Sequence, residues 1–132
     1  MCLATLTANK TTKRVGYKVL YCDLNTGELT TGMCSAARIP ITTDKYAKDP
    51  NKGTITGHGT TMFKYPAGFH VCLDKKDAYT IQSHQKGVVC KVRFRKSVAV
   101  GEVRWDWLSG PRLRSETVVA KEVKLIGKDT PL

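Results

Sequence analysis

Apolar and polar positions alternate most cleanly across VVCKVRFR, residues 88–95. Val88, Cys90, Val92 and Phe94 fall on one face, and Val89, Lys91, Arg93 and Arg95 on the other. A period of two is the pitch of a β-strand with one buried face. The run SVAVGEVRWDWL, residues 97–108, continues with Val98 and Val100 on one face and Val103, Trp105 and Trp107 on one face. It reads as the hairpin partner of the first strand. Its parity slips at Gly101, which predicts a bulge there.

Upstream, VGYKVLYC at 15–22 is rich in β-branched and aromatic residues and predicts a strand. The Asn25-Thr26-Gly27 turn signal then predicts a return through Leu29 to Met33. Residues 34–59 read mostly as loop, with a short strand around Ala37–Ile41, and TTMFKY at 60–65 as a further strand. Pro66-Ala67-Gly68 is a turn, and Phe69–Leu73 a short strand with Phe69 inward. Asp74 has the chemistry of a helix N-cap, and Asp77 adds a second carboxylate at the positive end of the helix. The main helix is therefore expected over residues 74–84. The last apolar run, TVVAKEVKLIG, is dominated by Val and Ile and reads as a strand. Strands outnumber helices and βαβ alternation is scarce. The expected fold is α+β: one domain over residues 1–132, with a curved, mainly antiparallel sheet and one central helix.

Charge changes this picture next. The chain has 22 basic and 11 acidic side chains, a formal net charge of +11. Residues 86–114 hold eight basic side chains against Glu102 and Asp106, so +6 of the excess lies in that segment. An excess of this kind favours anionic partners. Lys91, Arg93 and Arg95 alternate on one strand face. Arg104 joins them if the next strand folds back as a hairpin, and Arg112 and Arg114 follow in the loop. Arginine forks match phosphate geometry. On alternation Trp105 and Trp107 belong to the core or an interface; exposed beside the arginines, Trp105 would offer a base a stacking platform. His70, on the strand face opposite Phe69 and Val71, is the residue of its stretch expected to look into a pocket. The set Lys91, Arg93, Arg95, Arg104, Arg112, Arg114, His70 and Trp105 is thus the candidate ligand site.

Other chemistry is sparse. The five cysteines include no CxxC pair, so no zinc spacing is present. Cys22, Cys72 and Cys90 sit in apolar runs and read as buried thiols in a reducing compartment. GTITGHGTT lacks the GxxxxGK[ST] spacing of a phosphate loop and reads as a mobile loop, with residues 43–60 a possible lid. No GxSxG, HExxH or paired-carboxylate motif occurs. Neither a metal nor a cofactor is expected. No apolar run nears the ~20 residues of a membrane helix, and the start carries no signal-length apolar stretch, which predicts a cytosolic protein.

Met1-Cys2-Leu3, Tyr17-Lys18-Val19-Leu20, Gly68-Phe69-His70, Asp77-Ala78 and Val119-Ala120-Lys121-Glu122-Val123 form a pattern spread over most of the chain. It resembles a group of small uncharacterised proteins common in bacteriophage genomes. The resemblance implies a phage origin and a place in the host cytoplasm. Gly68-Phe69-His70-Val71 leading into a helix with Ala78 and Tyr79 is also similar to the strand and helix that line the NAD pocket of ADP-ribosyltransferase-like folds. Glu116 and Glu122 are the late-chain candidates for that family's glutamate. Phages carry small proteins that take up cyclic nucleotides or ADP-ribose derivatives made by bacterial immune enzymes. By that analogy the expected function is non-enzymatic sequestration of a small anionic nucleotide, often in a homo-oligomer. A basic nucleic-acid-binding module and a protein-binding inhibitor of a host defence factor are the alternatives.

Overall fold

The computed structural model describes residues 3–31, 38–57, 63–85, 87–105 and 113–129. In chain order the strands and helix are β1 (Thr5–Ala8), β2 (Val15–Cys22), β3 (Leu29–Thr30), β4 (Ala47–Lys48), β5 (Thr54–Thr56), β6 (Lys64–Pro66), β7 (Phe69–Cys72), α1 (Lys75–Gln85), β8 (Val88–Trp105) and β9 (Leu113–Lys128). The expected α+β class holds in its coarse form. The described chain is mostly antiparallel sheet with a single short helix. No helix among the described residues is long and apolar enough to cross a membrane.

The sheet closes on itself. β2 pairs with the first half of β8, β8 pairs with β9 along nearly its whole length, β9 pairs with β7, and β7 returns to β2. The closing contact is the pair Tyr17↔Cys72. Glycine makes it possible: a Cβ on Gly16 would lie 2.5 Å from Val71 Cγ1 and 2.6 Å from the Cys72 carbonyl oxygen. Beyond that pair, the Lys18 ammonium bridges the two strands, donating to the His70 carbonyl at 2.9 Å.

Two apolar clusters lie on opposite faces of this sheet. One joins Leu20, Phe69, Val71, Val92, Phe94 and Val118, and Leu29 and Ile41 extend it. The other packs Ala78 and Ile81 of α1 on Cys72, Val89 and Val119, beside Leu3 and Tyr65. A helix is ~10–12 Å across with its side chains, too wide for the inside of a ring of so few strands. The first cluster therefore fills the ring, and α1 covers its outside.

Several local expectations hold. β2, β7 and α1 fall within a residue of their predicted bounds at most ends, and Phe69 is buried. Asp74 caps α1, its Oδ1 accepting the Lys76 amide at 2.9 Å. Asp77 lies in the first turn of α1, as expected, and also hydrogen-bonds the Ser115 hydroxyl; burial raises its pKa.

Others are corrected. The run 97–105 is not a hairpin partner of 88–95. It continues the same strand, and the partner of both halves is β9. The polar Lys96-Ser97 step is a bulge: Lys96 has φ 58° and the register with β9 slips between Ser97 and Ala99. Gly101 serves a different purpose, since a Cβ there would lie 1.8 Å from the Thr5 carbonyl oxygen of β1. Cys72 and Cys90 are buried, but Cys22, at the last position of β2, is exposed.

The segment expected to be a loop and lid is anchored along much of its length. Thr30 and Pro40 form a bridge, β4 pairs with β9, and β5 pairs with β6. The Lys121 ammonium donates to the carbonyls of Asn51 and Ala67, each at 2.7 Å, and so ties down both ends of the β5–β6 hairpin. Residues 58–60 of the proposed lid lie outside the described residues.

Candidate anion-binding site

The outer face of the β8–β9 ladder gathers the charge. Register sets Arg93 opposite Lys124 and Arg95 opposite Glu122. Directly opposed side chains have Cβ atoms about 4.5–5.5 Å apart. β4 runs along the other edge of β9, with Ala47 opposite Val123 and Lys48 opposite Glu122, which brings Tyr46 to the same place.

Arg95 and Glu122 are committed to each other. The Arg95 Nε donates to Glu122 Oε1, and the Lys96 ammonium lies 3.1 Å from Oε2. The Glu122 side chain is only 3% exposed, so the pairing answers a buried carboxylate. The hydrogen bond from Arg95, against the opposing effect of burial, holds the Glu122 carboxyl below its ordinary range. Arg95 also stacks its guanidinium 3.9 Å from the centroid of the Tyr46 ring. It positions Tyr46, and its Nε is committed to Glu122.

Arg93 and Lys124 differ in lacking a carboxylate partner among the described residues, although the Lys124 ammonium also lies over the Tyr46 ring, 5.8 Å from its centroid. Together with Tyr46, Leu125 and Ile126 they line a groove of about 320 Å³. Ile126 is 43% exposed, an apolar side chain held outward beside two cations. The register explains its direction. Lys91 pairs with Gly127 and Val92 with Leu125, so Ile126 is the extra residue of a bulge.

The predicted residues separate into two groups and an outlier. Lys91, Arg93 and Arg95 share an exposed face, as expected, and of these Arg93 lines the groove. Arg104 is not folded back beside them. It lies nine residues further along one continuous strand, roughly 30 Å of extended path from Arg95. There it stands opposite Arg114, one step beyond the pair Glu102↔Glu116, and Trp105 stands opposite Leu113. The side chains of Arg104, Trp105 and Arg114, and all of Arg112, lie outside the described residues.

His70 is the outlier, and it is a structural residue. Its Nε2 lies 3.0 Å from the Tyr65 hydroxyl, which itself accepts the Leu3 amide at 2.9 Å. The hydroxyl proton is therefore available to His70 Nε2. Burial, reinforced by the nearby Lys18 charge, lowers the His70 pKa to about 3. Two groove residues, Tyr46 and Lys124, had no site signal in the sequence. Tyr46 is an isolated aromatic in a polar stretch. Lys124 alternates with Glu122 and Ile126, but its role depends on a register that alternation does not give.

Comparison with protein-family models, with curated proteins and with solved structures gives no match. The site must be read from its own chemistry. Among the described residues no group of three or more His, Cys, Asp or Glu side chains could hold a metal ion. Burial pushes the Cys90 thiol up to about 11 and also raises Cys72, so neither is an activated nucleophile. The groove offers two cations, a phenol ring and an apolar wall.

Proposed function

We propose that the protein binds a small anionic nucleotide in the Tyr46–Arg93–Lys124 groove and holds it without turnover. The observation that carries this reading is the opposed pair Arg93 and Lys124, without an acidic partner among the described residues and set beside an aromatic ring and an apolar wall. Two cations across a strand ladder suit a phosphate group, and the ring with Leu125 and Ile126 suits a flat organic body. Retention without chemistry is supported by the state of the reactive groups among the described residues: Glu122 is paired with Arg95 and Lys96, His70 is neutral, and Cys72 and Cys90 are buried.

In the setting that the phage resemblance implies, such a protein acts in counter-defence, by sequestering a cyclic-nucleotide or ADP-ribose-type immune signal in the host cytoplasm, as a homo-oligomer.

The test is capture and release. Purified protein is mixed with cyclic nucleotides, NAD and ADP-ribose derivatives, and the free nucleotides are quantified before and after heat denaturation. A species that disappears and returns unchanged supports sequestration. Return as a product makes the protein an enzyme and overturns the reading. Full recovery in the filtrate before denaturation also overturns it. In that case, steeply salt-dependent binding to a single-stranded oligonucleotide would indicate a nucleic-acid module.

A further inference from the structure

We infer that the groove reads a single phosphate group joined to a single nucleoside. Among small anionic nucleotides it therefore prefers a nucleoside monophosphate or cyclic mononucleotide to a pyrophosphate-bridged or cyclic oligonucleotide. This rests on the proposed nucleotide site and narrows it.

Three observations carry the inference. The first is charge. Five basic side chains crowd this part of the ladder, but Arg95 and Lys96 share the Glu122 carboxylate. Lys91 stands opposite Gly127 and does not line the groove. That leaves Arg93 and Lys124, facing one another at one rung of the ladder. Two cations at one rung converge on one phosphate. Arg95 and Lys96 together carry one positive charge more than Glu122 offsets, but neither lines the groove.

The second is size. A groove of about 320 Å³ is at the lower end of the range that holds small organic ligands, roughly 300–1,000 Å³. It accommodates one nucleoside-sized body. A cyclic dinucleotide would leave its second base and second phosphate in water, contributing little.

The third is the bulge at Ile126. An extra residue in β9 turns this side chain outward next to the cations, where it is 43% exposed. Solvation of Arg93 and Lys124 gains nothing from an isoleucine at that spot. An apolar surface of the ligand does. Ile126 and Leu125 supply the contact that separates a nucleotide from a bare phosphate ion.

Isothermal titration at fixed, near-physiological salt provides the test. The probes are adenosine 5′-monophosphate, adenosine 3′,5′-cyclic monophosphate, ADP-ribose, a cyclic dinucleotide, adenosine and inorganic phosphate. Expected is binding of at least one monophosphate, competed by inorganic phosphate, with adenosine inert and neither two-phosphate probe tighter. Arg93→Gln and Lys124→Gln should each weaken the monophosphate roughly tenfold to a hundredfold, the effect of losing one charge-assisted hydrogen bond. Ile126→Ser should weaken the nucleotide but leave the inorganic phosphate constant unchanged.

Binding of ADP-ribose or the cyclic dinucleotide ten times more tightly than either monophosphate overturns this inference while leaving a nucleotide site in place. Binding of a monophosphate that ignores both cation substitutions overturns the location. Silence from every probe removes the nucleotide reading itself.

Discussion

Replacing His70 with glutamine isolates the role assigned to this histidine. Glutamine keeps an acceptor for the Tyr65 hydroxyl but cannot titrate. In the folded protein the His70 pKa is about 3 against an ordinary 6.5. The native ring stays neutral while the unfolded ring gains a proton as pH falls below 6.5. Stability from this group is complete above that value and is lost as pH falls toward 3. The slope is about 1.4 kcal/mol per pH unit, so the wild type should lose up to about 2 kcal/mol between pH 6.5 and pH 5. For a chain of 132 residues, that is roughly 7 °C in Tm. Thermal unfolding of the wild type and His70→Gln at pH 7, 6 and 5 reads the effect directly. Every other titrating group is common to both proteins, so the difference between their slopes belongs to His70. Parallel slopes would refute the assignment of His70 as a buried, neutral ring.

Gly16→Ala should open the β2–β7 seam, because its Cβ meets the Val71 side chain and the Cys72 backbone at 2.5 and 2.6 Å. A loss of about 1–3 kcal/mol in urea unfolding is expected, and a neutral result would mean that the seam does not close the ring. Glu122→Gln should cost about 1–2 kcal/mol, a modest figure because Arg95 is 47% exposed and can be rehydrated. The same variant should weaken acid sensitivity below pH 4.3, since a depressed carboxyl contributes stability above its unfolded pKa and loses it as pH falls through the folded one. Lys121→Met removes two hydrogen bonds to the base of the β5–β6 hairpin. It should raise amide exchange in residues 53–56 and 64–67 well above that of β2.

What could be read in the sequence, and what could not, follows from range. The bounds of β2, β7 and α1 depend on neighbours a few residues away: β-branched content, a turn at Pro66–Gly68 and an N-cap at Asp74. Those signals are local and survive folding. The continuity of β8 was not legible, because a Lys-Ser step that breaks alternation looks the same whether the chain reverses or bulges. The bulge costs Lys96 a left-handed backbone, φ 58°, and only the long partner strand β9 compensates for it. The misreading then spread to the site. A hairpin would have put Arg104 beside Arg95, whereas one continuous strand puts it at the far end. Conversely, the pairing of Arg93 with Lys124 crosses 31 residues and depends on register, which composition does not encode.

The two bulges bracket the site, and this gives the groove its definition. The β8–β9 register slips between Lys91 and Val92 and again between Ser97 and Ala99. Between the slips runs a short regular ladder that carries Arg93↔Lys124 and Arg95↔Glu122. A shift of one residue in this interval would exchange its two faces. Arg93 and Arg95 would turn into the ring in place of Val92 and Phe94, and those apolar side chains would face water. The ring core therefore holds the cations in place: Val92, Phe94 and Val123 are fully or almost fully buried, and each makes the shifted register costly. Burial of Glu122 adds a second lock, since only the native register gives that carboxylate both Arg95 and Lys96. Of the eleven excess positive charges, few take part in the groove. What sets the groove apart is that two of its cations have no acidic partner among the described residues, and not the charge of the whole chain.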